Sequence, residues 1–339
     1  MAAGRAPAAS WGGAGRVVDS TEGLRYTKTL VRQKEDREDQ RLELQKNRPA
    51  ARYEGMLFVT TLAWSMSFVW SKMVTNTGMS SEMYLFLRYT LAALLLLPFA
   101  LRHLRSMTKK EFWSGILMGC IFFGGMIFQT IGISMSTPSE SSFITTAYVV
   151  IAPFTTWLLM KQKPKKNVGA AVVLCLAGIY ILNMQPGQTI SLSLGNLLTL
   201  VGAVGWAFQL TFTSIAGAYM HPVLLSFMSF AFTGVMGGLT ALGTGSFFTT
   251  TAAQLHGAGW AIVLAAIFPT ILANLVQVHA QPHVDANKAA VIYTMEAVFA
   301  TVISIMIGLE PPRLSVLAGG GLIVGAVLLT QIGGGRENA

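Results

Sequence analysis

Ten stretches of mostly apolar residues, separated by short polar connections, run along the chain from residue 55 to residue 330. They fall near 55–74, 83–101, 112–133, 139–160, 168–183, 195–217, 222–243, 258–277, 287–308 and 313–330. About 20 apolar residues at about 1.5 Å each cross the ~30 Å hydrocarbon core of a bilayer. Each stretch therefore reads as one transmembrane helix, and the chain as an all-α polytopic membrane protein with ten transmembrane helices. The first apolar run begins only after some 54 residues, too far in for a cleaved signal, so it is expected to remain as an anchor.

Composition supports the same class. Of 339 residues, 53% are hydrophobic and 12% charged, against about 25% charged in an ordinary soluble domain. A water-facing surface cannot be covered with so little charge, and soluble-enzyme readings are excluded on that ground. The net charge of +9 would point to nucleic acid in a soluble chain. Here it follows from topology, because cytoplasmic connections of membrane proteins are enriched in Lys and Arg, and no nucleic-acid partner is expected. Arg102, Arg105, Lys109 and Lys110 share the connection between spans 2 and 3; Lys161, Lys163, Lys165 and Lys166 share that between spans 4 and 5. The connections on the other side of the first eight spans carry no Lys or Arg. With both termini cytoplasmic, 21 of the 24 basic residues lie inside, and a multi-pass cell-membrane protein in that orientation is expected.

Four segments are expected. Residues 1–53 form a polar cytoplasmic tail, disordered at first and then compatible with a short helix through the pairs Arg32–Asp36 and Lys34–Glu38. Residues 54–185 and 186–332 form two five-helix repeats, and 333–339 a cytoplasmic C-terminal tail. The repeats rest on a nearly constant offset: Trp64 matches Trp206 at 142, Pro153 aligns with Ala297 at 144, and Pro164 and Gly178 match Pro311 and Gly325 at 147. Five passes are an odd number, so the second copy enters the membrane inverted. Inverted repeats enclosing a midplane site are characteristic of secondary transporters.

Chemistry inside the spans is sparse. No Gly-rich phosphate loop, HExxH or Cys/His cluster occurs, and Cys120 and Cys175 lie singly in apolar runs; no cofactor, metal or catalytic residue is expected. Ionisable groups in hydrocarbon are costly and call for a reason. Glu296 lies eight residues beyond Lys288, about 12 Å into span 9, where a carboxyl can exchange a proton or bind a polar substrate, or be a structural group bonded to neighbours. Arg88 lies six residues beyond Glu82 with Tyr84 on its face, placed to line a cavity or to pair with an acid. Lys72 follows Trp64 and Phe68 on one face of span 1 and either snorkels to the interface or meets substrate. Glu140 stands at the start of span 4, where a helix N-terminus accepts negative charge. Gln129, Asn274 and Gln277, with Tyr148, Trp206 and Tyr293, complete the candidates for a polar, aromatic-lined cavity. The same residue types also serve as interhelical hydrogen-bonding and packing groups. Pro153 and Pro269 fall within spans 4 and 8 and permit kinks. Gly115xxxGly119, Gly234xxxGly238 and Gly321xxxGly325 suit close helix packing within the chain or in a homodimer.

Together these residues resemble the drug/metabolite transporter superfamily in its ten-helix EamA type. The resemblance rests on Trp64, Phe68 and Lys72; Arg88-Tyr89 with Ala92-Ala93; Gln129-Thr130-Ile131-Gly132 followed by Phe143-Ile144-Thr145, Tyr148 and Pro153; and Met295-Glu296-Ala297-Val298-Phe299-Ala300 with Gly308-Leu309-Glu310. It departs at Ala297, where the family usually has proline, and at the Lys-rich first-half counterpart of Gly-x-Glu. The resemblance implies export or exchange of small metabolites, amino acids or drug-like molecules by alternating access without ATP; the small molecule and the bilayer are the expected partners, and Glu296 makes a proton a candidate one. Nucleotide-sugar or organic-phosphate antiport is the alternative, and needs several cavity cations where only Lys72 and Arg88 qualify. An intramembrane lipid-modifying enzyme needs a catalytic cluster the sequence lacks, and a channel needs unsaturable flux.

Overall fold

The computed structural model describes residues 51–161, 163–164, 166–182, 193–284 and 286–331. All lie in the second of two compact units, Met1–Ala50 and Ala51–Ala339. The expected tail helix near 32–46, the 185/186 repeat boundary and the C-terminal tail fall outside the described residues.

Among the described residues there are ten long helices and no strand. They are α1 (Ala51–Asn76), α2 (Ser81–Arg105), α3 (Lys109–Ser134), α4 (Pro138–Met160), α5 (Val168–Leu182), α6 (Leu194–Ala216), α7 (Pro222–Gly243), α8 (Ala252–Ala280), α9 (Ala286–Met306) and α10 (Leu314–Gln331). Seven of them, α1–α4 and α6–α8, are long and apolar enough to cross a bilayer by length and composition; α5, α9 and α10 contribute shorter apolar helices. The expected span 8 grows from 258–277 to the 29 residues of α8, because Thr251 and Gln254 form a capping box that starts the helix early.

Local chemistry places the other helix starts. Ser80, Thr108, Thr137 and Ser193 each accept a backbone N–H at the head of α2, α3, α4 and α6, satisfying donors that would otherwise be orphaned. Pro138 and Pro222 occupy first helical positions of α4 and α7, where a missing N–H costs nothing.

The outside of the bundle is apolar: Leu94, Phe99, Trp113, Val173, Leu176, Val235, Leu239 and Met306 are exposed. Its interior holds buried Ser, Thr, Asn and Gln side chains alongside the hydrophobic core. That distribution is the inverse of a soluble domain and suits a bilayer as solvent. The chain is an all-α polytopic membrane protein.

Helix contacts follow an exchange of each helix for the one five places later. The pairs α2–α7, α4–α9 and α5–α10 map onto themselves, and α3–α7 maps onto α8–α2. The α3–α6 pair has its counterpart in α8 against α1, through Trp64 to Pro269 and Trp70 to Phe268. The α4–α6 pair has its counterpart in α9 against α1, through Trp64 to Tyr293 and Phe58 to Phe299.

Glycine lets the central pairs approach closely. A Cβ on Gly132 of α3 would lie 2.2 Å from Thr199 Oγ1 and 2.7 Å from the Gly195 carbonyl of α6. Of the three expected small-residue faces, Gly115/Gly119 packs on Met228 and Phe232 of α7, and Gly234/Gly238 on Thr90 and Phe86 of α2. The third is displaced: Gly321 faces open space, and Gly319 with Gly320 makes the close approach instead, to α5 and Phe143.

The helices leave two ends. At one, the α2–α3 and α6–α7 connections meet: His103 stacks on His221 with ring centroids 3.9 Å apart, and Lys110 lies over the Tyr219 ring. This is the basic end. At the other, the α3–α4 and α9–α10 connections meet through Glu140 and Arg313.

Candidate functional site

Between the halves lies a cavity of about 80 Å³, several times the volume one water needs. Its wall is drawn from α1, α2, α3, α4, α6, α8 and α9. Of the residues singled out in the sequence, Glu296, Arg88, Trp64, Trp206, Gln129, Asn274 and Gln277 converge on it. Ser67, Ser71, Gln209 and Thr270 join them without having been singled out. Hydroxyl and amide side chains in a span read equally well as interhelical bonds, so the sequence carried no separating signal for them.

Arg88 is buried, 3% exposed. Its Nε donates to Thr270 Oγ1 at 2.8 Å and its Nη1 to Tyr84 Oη at 3.1 Å. The guanidinium carbon lies 5.7 and 5.2 Å from the Tyr84 and Tyr89 ring centroids, a cation–π setting that stabilises a desolvated cation. Among the described residues it pairs with no carboxylate. The expectation that it either lines the cavity or pairs with an acid thus resolves toward the cavity.

Thr270 owes its position to a distorted helix. Residues Ala266–Leu272 of α8 wind as a π-helix around Pro269, which cannot donate into the helical ladder. The Thr270 hydroxyl donates to the Ala265 carbonyl at 2.8 Å, and Trp64 Nε1 donates to the Pro269 carbonyl at 3.1 Å. Pro269, where the sequence permits a kink, lies within this π-turn, and π-turns of this kind recur at functional sites. One irregular turn therefore fixes both Arg88 on one wall and Trp64 on the other.

Glu296 lines the same cavity from α9 and, among the described residues, takes part in no ion pair and no side-chain hydrogen bond. Two further polar atoms on this wall have no partner: Trp206 Nε1, a donor, and Gln277 Oε1, an acceptor. Gln129 is engaged, donating from Nε2 to Thr145 Oγ1 at 3.0 Å, and Asn274 Oδ1 accepts from Ser226 at 2.8 Å. The unsatisfied set thus comprises an acid, a donor and an acceptor, beside a cation held by neutral groups. Buried polar atoms normally have partners, and Trp206 Nε1 and Gln277 Oε1 have none.

Three candidates stand elsewhere. Lys72 does not reach the cavity; its Nζ donates to the carbonyls of Ile133 and Ser134 at 3.2 and 3.1 Å, at the C-terminus of α3 where a cation is favoured. Tyr148 is buried in the core with Phe143 and Tyr293. Tyr293 packs its ring 5.5 Å from that of Trp64 and donates to Gln281 Oε1 at 3.1 Å. It faces a second cavity of about 490 Å³ toward the basic end, lined by the ends of α4, α6 and α8 and the start of α9. Tyr293, Gln281 and Gln277, which donates to Gln281 at 3.0 Å, separate the two cavities. Among the described residues there is no cluster of His, Cys, Asp or Glu able to hold a metal ion.

Comparison with known proteins agrees with this architecture. A family model described as the EamA-like transporter family matches twice, over residues 52–184 and 193–332, one match to each set of five helices. The chain is 28% identical over 277 residues to an uncharacterized transporter of Archaeoglobus fulgidus, covering 81% of this chain and 84% of that one. A chain of known crystal structure, 18% identical, superposes with a TM-score of 0.59 over 83% of this chain and 96% of its own, a likeness of fold.

Proposed function

The chain belongs to the EamA-like transporter family, and from that premise we propose that it is a secondary transporter moving a small zwitterionic solute by alternating access. The observation that carries this reading is the pairing of charges in one cavity: Arg88 and Glu296 both line it and do not neutralise one another. A solute with an amine and a carboxylate supplies the missing partner to each. Arg88 is buried and Glu296 half-buried in the same cavity, so a ligand of two opposite charges complements both. Trp206 Nε1 adds a donor for the carboxylate and Gln277 Oε1 an acceptor for the amine. Trp64, Phe68, Phe122 and Met126 offer an apolar surface for the remainder of the molecule, which points to amino acids with apolar side chains and drug-like amines bearing an acid.

The same chemistry supplies a coupling mechanism. Glu296 can be neutralised in the cavity by a proton or by the ammonium of the solute, and leaving it charged and alone is unfavourable. The empty carrier then crosses with Glu296 protonated and the loaded carrier with Glu296 paired, which is proton–solute exchange. The loop asymmetry of Lys and Arg supports a cell-membrane protein with both termini in the cytoplasm, and in that orientation export is the direction a cell's proton gradient drives. Organic-phosphate antiport is disfavoured, because Lys72 is engaged at α3 and one cavity cation is too few for a multiply charged phosphate.

A ligand panel tests the substrate class. Purified protein in detergent is heated with leucine or phenylalanine, with their methyl esters and with their N-acetyl derivatives. Stabilisation by the parent amino acid, lost when either charge is removed, is expected. Equal stabilisation by esters or acetyl derivatives would refute the zwitterion reading.

A further inference from the structure

The end of the bundle opposite the basic connections is held shut by charge. Glu310, in the α9–α10 connection, is 6% exposed. Its Oε1 accepts from the backbone N–H of Ser139 at 3.1 Å, from the Ser139 hydroxyl at 2.5 Å and from the Ser304 hydroxyl. Ser139 stands in the first turn of α4, so Glu310 caps the N-terminus of a helix in the other half of the protein. Three residues on, Arg313 reaches the same turn in the opposite sense. Its Nη2 lies 2.5 Å from Glu140 Oε1 and 3.5 Å from Thr137 Oγ1. Glu140 is itself 7% exposed. One connection of the second half thus grips one helix turn of the first with an anion and a cation together. Lys72 sits beside both carboxylates while tying α1 to the end of α3.

At the basic end the halves meet through His103 on His221 and Lys110 on Tyr219. There the space between α4, α6, α8 and α9 opens as the cavity of about 490 Å³, separated from the central one by the uncharged set Gln277, Gln281 and Tyr293. The five-helix exchange turns the α9–α10 connection into the α4–α5 connection, residues 161–167. Its sequence carries four lysines and no carboxylate, so Glu310 has no counterpart there.

We infer that Glu310 and Arg313 form a latch on the first turn of α4 that biases the unloaded protein to stay closed at this end, and that breaking it is the step that opens the central cavity to the side away from the basic connections. Opening at this end breaks the charge-assisted hydrogen bonds of Glu310 and Arg313 to the first turn of α4, which biases the protein toward the state closed there. This rests on the alternating-access reading given above and adds to it which end is locked, and by what.

Pulsed electron paramagnetic resonance on the full chain in lipid nanodiscs tests it without substrate. Nitroxides go on cysteines at Met135 and Leu314, which flank the latch and are 52% and 82% exposed, after replacing Cys120 with serine. Native Cys175 is buried. A dominant short-distance population is expected with the native latch. Arg313→Glu and Glu310→Gln should each add a longer-distance population, and the charge exchange Glu140→Arg with Arg313→Glu should restore the short one. Unchanged distances in both single variants would overturn the inference, as would a longer population that the charge exchange leaves in place. Should Arg313→Glu not fold, Glu310→Gln, nearly isosteric, carries the test alone. Because no ligand is added, failure of zwitterion binding would leave this result standing, and the reverse.

Discussion

Arg88 of α2 and Glu296 of α9 face the same cavity from opposite halves of the protein and form no ion pair with one another. Arg88 is held instead by Thr270 and Tyr84, so the cation is fixed in place and the acid is free to take a ligand. Glu296→Gln keeps the shape and removes the charge. It should weaken binding of a zwitterion by roughly 10- to 100-fold, the effect of about 1.5–3 kcal/mol for a hydrogen bond to a charged group, and leave the folded protein intact. Isothermal titration of both forms with the same amino acid checks it.

The two cavity tryptophans should separate stability from binding. Trp64 Nε1 is bonded to the Pro269 carbonyl at 3.1 Å, whereas Trp206 Nε1 has no partner. Trp64→Phe should lower the unfolding temperature, by the equivalent of about 0.5–1.5 kcal/mol for one lost hydrogen bond. Trp206→Phe should leave that temperature nearly unchanged and weaken ligand binding. Thermal unfolding with and without ligand reads both.

Glycine replacement should be sharply position-dependent. A Cβ at Gly132 meets Thr199 Oγ1 at 2.2 Å and a backbone carbonyl at 2.7 Å, while one at Gly321 meets nothing within 4 Å. Gly132→Ala should destabilise by about 1–3 kcal/mol, the usual range for overpacking. Gly321→Ala, inside α10, should be neutral or stabilising by up to about 1 kcal/mol through helix propensity. Unfolding temperatures of the two variants, measured in one detergent, give the comparison.

His221 supplies a pH test at the basic end. Its Nδ1 accepts the Val223 N–H at the head of α7, and its ring stacks on His103. Burial, then the neighbouring His103 and Arg102, push its pKa below the ordinary histidine value. A base with a lowered folded-state pKa contributes stability that is present above its unfolded pKa of about 6.5 and is lost as pH falls through the folded one. Protonation also removes the acceptor that caps α7. The unfolding temperature should therefore fall between about pH 7.5 and pH 5, and fall less in His221→Asn, whose amide caps without titrating. Equal pH dependence in both proteins would contradict this.

The fold was legible because a membrane leaves so few options. Long apolar runs with charge concentrated in alternate connections yield the helices and their alternation, and an odd repeat yields the inversion. Glu296 and Arg88 stood out because each is an ionisable group in an apolar run. Thr270 and Gln209 did not, since polar uncharged residues occur throughout the spans. Lys72 was ambiguous for a physical reason: a long cationic side chain one turn from a helix end can reach the cavity or the carbonyls of a neighbouring helix, and the position of the α3 C-terminus decides it. Glu140 with Arg313, and Ser139 with Glu310, are separated by 173 and 171 residues; such pairs become visible only once the helices are assembled. Pro269 signalled an irregularity in α8, but whether a proline bends a helix or widens it into a π-turn depends on what satisfies the carbonyl it frees, here that of Ala265, which accepts from the Thr270 hydroxyl.

The central claim is that the polar chamber between the two halves carries its solute across the bilayer. Its most direct test is exchange in proteoliposomes preloaded with unlabelled amino acid, with uptake of the labelled form measured over time. The account predicts saturable uptake, stimulated by the internal amino acid and by an outward proton gradient, and abolished in the doubly altered Arg88→Ala, Glu296→Gln protein. Uptake no greater than in protein-free vesicles, or unsaturable uptake that persists in the double variant, would contradict it.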